Sequence, residues 1–365
     1  MENWNKISFT ELISDRTKDG IKLPTNEYNQ SGLTAIIDQG QEFIAGYSDE
    51  TEGAFTDVPA IIFGDHTRVF KYVDFPFFLG ADGVKVLKAN QEINYKYLYY
   101  YFLQAKFPNT GYARHFKWLK ELQIPLPPLE EQKHIAAVLD KCTALIAKHK
   151  LMLERYDTLI KSRFIEMFGD PVQNPMGWEV KRFKDICDLI TDGEHNTPNR
   201  SSKGIYLLSA RNIHNHILKL EDVDYIDEEE YARISKRIIP QEGDVLISCS
   251  GSVGRVCSVP KNFKFQMVRS VALLRLKEIV TPLFMEYLIE SDYLQNQIDK
   301  AKTQSSQANL FQGKIAELKG FVPPLALQQQ FASFVQQIDK SKFVVQKSLE
   351  KAEILYKSLM QEYFG

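Results

Sequence analysis

The side chains able to do covalent or metal chemistry are few and scattered. Cys142, Cys187, Cys249 and Cys257 form no CxxC pair, so the spacing that builds a zinc site is missing and reduced thiols are expected. A thiolate nucleophile needs a base beside it. Cys249 with His195 or His214 is the sort of pairing that seven histidines produce by chance. No Gly-x-x-x-x-Gly-Lys-Ser/Thr loop is present, which argues against a motor or translocase built on that loop. Gly251-Ser252-Val253-Gly254 can lay backbone N–H groups against a phosphate, or can be a tight turn only. No catalytic residue, metal or cofactor is therefore expected of this chain.

The elements that would position such residues follow from a repeat. Leu126-Pro127-Pro128-Leu129-Glu130-Glu131-Gln132 returns as Val322-Pro323-Pro324-Leu325-Ala326-Leu327-Gln328, 196 residues on. The register holds at Ala136 and Ala332, at Lys161-Ser162 and Lys357-Ser358, and at Phe168-Gly169 and Phe364-Gly365. Trp4 to Phe9 and Trp178 to Phe183 share a Trp-to-Phe spacing, so the duplication covers the whole chain. Its 365 residues, 44% apolar and 25% charged, suit two globular domains. No apolar run reaches the roughly 20 residues of a membrane span. Met1 to Lys6 lacks an apolar signal core, so a cytoplasmic protein is expected.

Each half reads as a globular region followed by a long helix. The globular regions are 1–122 and 176–318; the helices occupy 123–175, with its linker, and 319–365. Strands are expected at Ala60–Gly64, Gly83–Leu87, Gly204–Leu208, Gly243–Ser248 and Ser270–Leu276, and helices at Tyr95–Gln104 and Leu283–Ile298. Strands and helices without strict alternation make the class α+β. A helix is expected from Glu130 to Phe168, and from Ile135 to Met167 its apolar residues recur with a period near 3.5. The expected pairing face is Ile135, Leu139, Cys142, Ile146, Leu153, Tyr156 and Leu159, against Phe331, Val335, Ile338, Val345, Leu349, Ala352 and Leu355. Sustained heptads want a partner helix, and the other copy is the natural one. Two globular α+β domains separated by an antiparallel coiled coil, related by a pseudo-twofold axis, is the expected architecture. Such a helix would span ~58 Å.

The repeated Pro-Pro-Leu-x-x-Gln signature, the Phe168-Gly169-Asp170-Pro171-Val172 link running to Gly177-Trp178, and the duplicated layout resemble the specificity subunit of Type I restriction-modification systems. Asp192 to Pro198, Gly243 to Ser248 and Gly251 to Gly254 resemble that family's target-recognition domains, as do Phe63 to Thr67 and Gly80 to Val84. The resemblance implies two target-recognition domains that read the halves of an asymmetric, bipartite site in double-stranded DNA. It also implies two methyltransferase subunits bound to the helices and restriction subunits in the full complex. Glu130, Glu131, Gln132, Lys133, Gln328 and Gln329 are the expected partner-binding residues, on the outer face of the helix starts. A self-contained DNA methyltransferase is the enzyme alternative. It needs an (Asn/Asp)-Pro-Pro-aromatic motif to hold a flipped base, and the nearest tetrapeptide is Asn174-Pro175-Met176-Gly177. A helical adaptor with no DNA role is the other alternative.

Side chains that read base edges or hold phosphates collect in a few polar stretches. In the first half these are His66, Thr67 and Arg68, with Tyr112, Arg114, His115 and Lys117. In the second half they are His195, Asn196, Thr197, Asn199, Arg200 and Lys203; Arg211 and Asn212; and Gln304, Ser305, Gln307 and Asn309. Each can equally be a solvated loop residue or a turn cap. The formal net charge is −2. Residues 1–122 hold 13 Lys and Arg against 16 Asp and Glu, and residues 178–318 hold 19 against 20. Phosphate attraction must come from local clusters or from partner subunits, so weak, salt-sensitive DNA binding is expected of the isolated chain.

Overall fold

Apolar residues on both faces of the central strands dictate the core. Ile61 and Phe63 pack with Phe9, Leu12, Leu87 and Phe102, while their neighbours Ala60 and Ile62 pack with Ile37, Val73, Phe77 and Val86. The period of two thus fills a core on either side of one sheet. In the second half Val245 and Ile247 face Phe183, Phe284 and Leu288, and Leu246 faces Leu208, Cys257 and Met267. The computed structural model describes residues 4–80, 82–108, 113–302 and 308–365. It divides into two compact units, 1–151 with 345–365, and 152–344. The units therefore share the two long helices, dividing each near its middle, whereas boundaries drawn from the repeat keep each helix whole.

The first unit has a four-stranded antiparallel sheet ordered Ile13–Asp15, Val84–Ala89, Ala60–Gly64, Phe70–Val73. Beside it lies a three-stranded sheet, Gly46–Ser48, Thr34–Ile37, Phe77–Leu79, with one antiparallel and one parallel pairing. The second unit repeats both: Cys187–Asp192, Val271–Leu276, Val245–Ser248, Val256–Ser258, and Asp224–Ile226, Ile205–Leu208, Phe265–Met267. The mixed α+β class and the five strands expected from sequence are as observed, within two residues at each end. The helix Tyr95–Leu103 forms as expected, capped by the Asn94 side chain, which accepts from Tyr97 N at 3.0 Å. The helix expected at Leu283–Ile298 is instead two, Pro282–Glu290 and Asp292–Ala301. Ser291 breaks it: its hydroxyl donates to Leu288 O at 2.5 Å, and its extended backbone caps the second helix.

The long helices run Leu129–Phe168 and Leu325–Phe364. Within each unit their segments pack antiparallel. In the first unit Ile135, Ala136 and Leu139 cluster with Met360, Leu359 and Tyr363, and Lys150 pairs with Glu353 farther along. In the second, Phe164 and Phe168 meet Phe331 at centroid distances of 5.5 and 5.6 Å, and Asp157 pairs with Lys342. Aromatic contacts of this kind add ~0.5–1.5 kcal/mol each beyond area burial. Ile135, Leu139, Cys142, Phe331, Val335, Val345, Leu349 and Ala352 are buried, and Ile146, Leu153, Tyr156 and Ile338 half-buried. Leu159 and Leu355 depart from the expectation: they are 46% and 50% exposed, while their neighbours Ile160, 1% exposed, and Tyr356 turn inward. In both repeats two adjacent apolar residues compete for one heptad slot, and the second wins.

The first long helix ends at Gly169, whose φ of +80° needs no side chain. Its N–H donates to Ile165 O, and Trp178 Nε1 donates to Phe168 O at 2.8 Å, so the Trp of the link caps the helix end. The two helix starts are seated by Gln132 and Gln328, 2% and 0% exposed. Gln132 donates to Pro127 O at 2.8 Å and accepts from Asn94 N at 2.9 Å. Gln328 donates to Pro323 O and Ile279 O at 2.8 and 3.0 Å, and accepts from Thr281 N at 2.8 Å. Both were expected on a partner-binding face. They are instead internal, each tying a long helix to the start of a shorter one. Among the described residues no helix is long and apolar enough to cross a membrane.

Candidate nucleic-acid interface

Equivalent strands in the two units end in loops that backbone bonds draw into one cluster per unit. In the second unit Glu194, after the strand Cys187–Asp192, donates its N–H to Met267 O, and Arg269 N donates to Glu194 O. Ser270 Oγ accepts from Ala210 N, at the turn after Ile205–Leu208, and Ser270 O accepts from Cys249 N. Cys249 O accepts from Leu310 N, and Ser250 bridges Asn309. The polar stretches 193–203, 209–212 and 308–310 thus meet around 249–255 and 268–270. Gly193 permits the closest approach, since a Cβ there would lie 2.3 Å from Met267 O.

The Gly251–Gly254 stretch is a turn between Val245–Ser248 and Val256–Ser258, closed by Gly254 N donating to Ser248 O. Gly251 at its tip is exposed. Within the 193–203 loop, His195, Asn196, Thr197, Asn199, Arg200 and Lys203 are exposed. Arg200 and Arg211 share Asp224, each at 3.1 Å from its carboxylate. His195 pairs with Asp192 at 2.9 Å, as does Arg237 at 2.6 Å. The basic face is thus balanced by acids, in keeping with the even charge count. Lys203 and Arg269 are exposed and have no ion pair among the described residues. Asn212 departs from the expected contact role. It is 1% exposed, and its side chain binds Ser209 N, Lys219 O and Asp222 O, shaping the turn from within.

The first unit builds the counterpart from other residues. Thr67 Oγ1 donates to Gln39 O at 2.6 Å, and the Gln39 amide donates to Asp82 O and accepts from His66 N. Asp65, 5% exposed, accepts through its carbonyl from His115 N and through its carboxylate from Phe116 N at 2.7 Å. Loops 38–40, 64–68, 82–83 and 113–116 are joined in this way. Thr67, Arg68, Arg114 and Lys117 are exposed, and His66 half-buried. His115 is a correction: it is 1% exposed, with its Nδ1 3.0 Å from Asp65 O, so it holds the loop and does not face outward. Lys117 lies over the Trp118 ring at 4.8 Å. Arg68 takes a φ of +62°, a conformation costly for a long side chain. Tyr112, Gln304, Ser305 and Gln307 lie outside the described residues.

Sequence reasoning missed Gln39, Asp65 and Lys71 in the first unit. Lys71, 4% exposed, donates to Asp38 O and Glu42 O, and burial lowers its pKa. In the second unit it missed Arg269, Arg233 and Glu230. Glu230 follows Asp227 by three residues, a spacing that marks a helix start; nothing local shows its carboxylate reaching the 193–203 loop. Among the expected partner-binding residues, Glu130, Lys133 and Gln329 are exposed and Glu131 half-buried, with Lys133 and Glu130 paired at 2.8 Å.

These features agree with the likenesses the chain shows. A family model described as Type I restriction modification DNA specificity domain matches residues 1–155 and again 175–355. Over 365 residues the chain is 23% identical to the EcoR124I/EcoR124II specificity subunit of Escherichia coli, covering 93% of this chain and 87% of that one. Over 314 residues it is 23% identical to the MjaVIII specificity subunit of Methanocaldococcus jannaschii, covering 78% and 74%. In fold it is similar to the Type I restriction-modification S subunit from M. genitalium, with a TM-score of 0.66 at 16% identity over 100% of this chain and 96% of that one. Matched twice along nearly its whole length, the chain belongs to the Type I restriction-modification DNA specificity family.

Proposed function

We propose that this chain is the DNA-recognition subunit of a Type I restriction-modification complex, and that each loop cluster reads one half of a bipartite site. One observation carries this: the ends after Thr34–Ile37 and Ile205–Leu208, after Ala60–Gly64 and Val245–Ser248, and before Val84–Ala89 and Val271–Leu276 meet in a loop cluster in each unit, but with different side chains. A shared scaffold with unlike tips suits two half-sites of different sequence. The 1–122 and 176–318 regions act as the two target-recognition domains, and 123–175 and 319–365 as the helices that set the spacer. Two methyltransferase subunits dock on those helices through exposed residues such as Glu130, Lys133 and Gln329. Restriction subunits complete the nuclease, and the complex works in the cytoplasm. Exposed Arg68, Arg114, Lys203 and Arg269 hold phosphates, and Thr67, Asn196, Thr197 and Asn199 face base edges. Target choice belongs to this chain, and catalysis to its partners.

Methylome sequencing of a host with and without this gene, alongside its partner genes, tests the proposal. The expected result is an asymmetric motif in two parts with a fixed spacer. An unbroken palindrome, or methylation independent of this gene, would sink it. Cofactor binding by the purified chain alone would favour a self-contained methyltransferase.

A further inference from the structure

The 194–199 loop is held by charged side chains that bond its backbone. Glu194 and Glu230 are 9% and 5% exposed, an expensive place for a carboxylate unless it is paired. Each accepts a backbone N–H of the loop: Glu194 from Asn196 at 2.9 Å and Glu230 from Asn199 at 3.0 Å. The two anchors bracket Thr197, which is exposed, and Pro198, which is buried. Arg233 joins them. It holds Glu230 through two bonds of 2.8 Å and reaches Glu194 at 3.7 Å. Glu230 and Arg233 sit on the helix Glu228–Ser235, some thirty residues from the loop they hold. The backbone of Glu194 is pinned in turn between Met267 and Arg269.

We infer that Glu194, Arg233 and Glu230 form a positioning clamp that sets the conformation of the 195–199 loop and thereby the specificity of one half-site. The inference rests on the proposed role in DNA recognition and adds residues that need touch no base. A polar loop reads bases only if its groups are placed to within a fraction of an ångström. His195, Asn196, Thr197 and Asn199 on a free loop would lose that placement to conformational entropy. Two fixed backbone anchors, one on each side of Thr197, remove that freedom. Arg233 has a second effect. Without it two carboxylates would stand uncompensated behind a loop that meets phosphates. A planar guanidinium can grip one carboxylate with both arms, which an ammonium cannot. In the first unit the stretch after Ile13–Asp15 is held differently, by Thr17 N–H donating to Asp15 and by an Arg16–Asp19 pair. Among the described residues the first unit has no such clamp, so its loss should be felt at one half-site.

The test uses the assembled complex in a host carrying the partner genes, with R233A, R233K and E230Q variants read by methylome sequencing. Thermal melts of the purified variants run alongside. R233A should lose at least about tenfold preference at one or more bases of one half-site, the size of one lost directional contact. The other half-site should stay unchanged. R233K keeps the charge but not the fork, and should relax the same bases less. E230Q keeps an acceptor for Asn199 N–H and should relax them least. An unchanged motif in R233A, with or without a lowered melting temperature, overturns the clamp, as does equal relaxation of both half-sites. If R233A abolishes methylation altogether, E230Q and R233K decide: one-sided relaxation in either supports the clamp, and intact motifs in both overturn it. A wild-type chain that gives no bipartite motif would instead sink the role in DNA recognition itself.

Discussion

Replacing Gln328 with methionine separates a structural role from a docking role for the most sequence-conspicuous residue of the repeat. Methionine matches glutamine in length and can fill the same space, so the change isolates the polar contacts. Three backbone groups lose a partner: the buried Pro323 C=O and the part-buried Thr281 N–H and Ile279 C=O. Each buried group left unsatisfied costs about 1–3 kcal/mol, and partial relaxation keeps the sum below three full penalties. With one group buried and two part-buried, a loss of ~2–3 kcal/mol is expected, at the upper end for one substitution. Urea denaturation followed by far-UV circular dichroism would measure it. Hydrogen exchange would localise it, with the Thr281 amide losing protection first. A destabilisation below ~1 kcal/mol together with lost binding of a methyltransferase subunit would refute the reasoning and restore Gln328 to an outward-facing role.

Four further outcomes follow from the geometry. His216 lies 2.6 Å from Glu286 and 2.9 Å from Glu290, stacked on Tyr287 and with Lys161 on the far oxygen of Glu290. Burial pulls its imidazole down, but the two carboxylates outweigh it and hold the group at about 9; burial pushes Glu290 up, but His216 and Lys161 hold it at about 2. The raised His216 should contribute ~3 kcal/mol below pH ~6.5, lost as pH rises through about 9, and the depressed Glu290 a contribution lost as pH falls from ~4.5 through about 2. Urea melts across pH should show both limbs, and H216Q should flatten the alkaline one; an alkaline limb unchanged in H216Q would exclude this origin. Ile160→Ala should cost ~2–4 kcal/mol and Leu159→Ala less than ~1 in the same melts, and the reverse order would mean the helix register is wrong. Arg269→Ala should weaken binding of the complex to its site and lower the salt slope by about 1, measured by fluorescence anisotropy over a salt series; an unchanged slope would remove it from the phosphate contacts. Four residues inserted into a long helix should lengthen the methylated motif's spacer by about two base pairs, from ~6 Å of added rise; an unchanged spacer would mean the helices do not set it.

What could be read without coordinates was whatever the chain encodes locally or twice. The 196-residue offset, the heptad rhythm from Ile135 and the Gly- and Pro-rich link after Phe168 are local or repeated signals, and they yielded the long helices, the α+β class and the family. Strands such as Ala60–Gly64 were legible because a short apolar run between turn residues has few other uses. Tertiary structure decided the rest, wherever a side chain's role depends on a group far away in sequence. Gln132, Gln328, His115 and Asn212 have the types of outward-facing recognition residues, yet each is buried on backbone groups that no spacing rule points to. Leu159 and Ile160 are equally apolar, and only the packing around the helix chooses between them. Glu230 gives a helix start by its spacing from Asp227, but that its carboxylate holds Asn199 N–H across thirty residues of chain is a fact of packing. A sequence shows which groups are polar; where each is desolvated, and against what, is settled only when the sheets and helices close on one another.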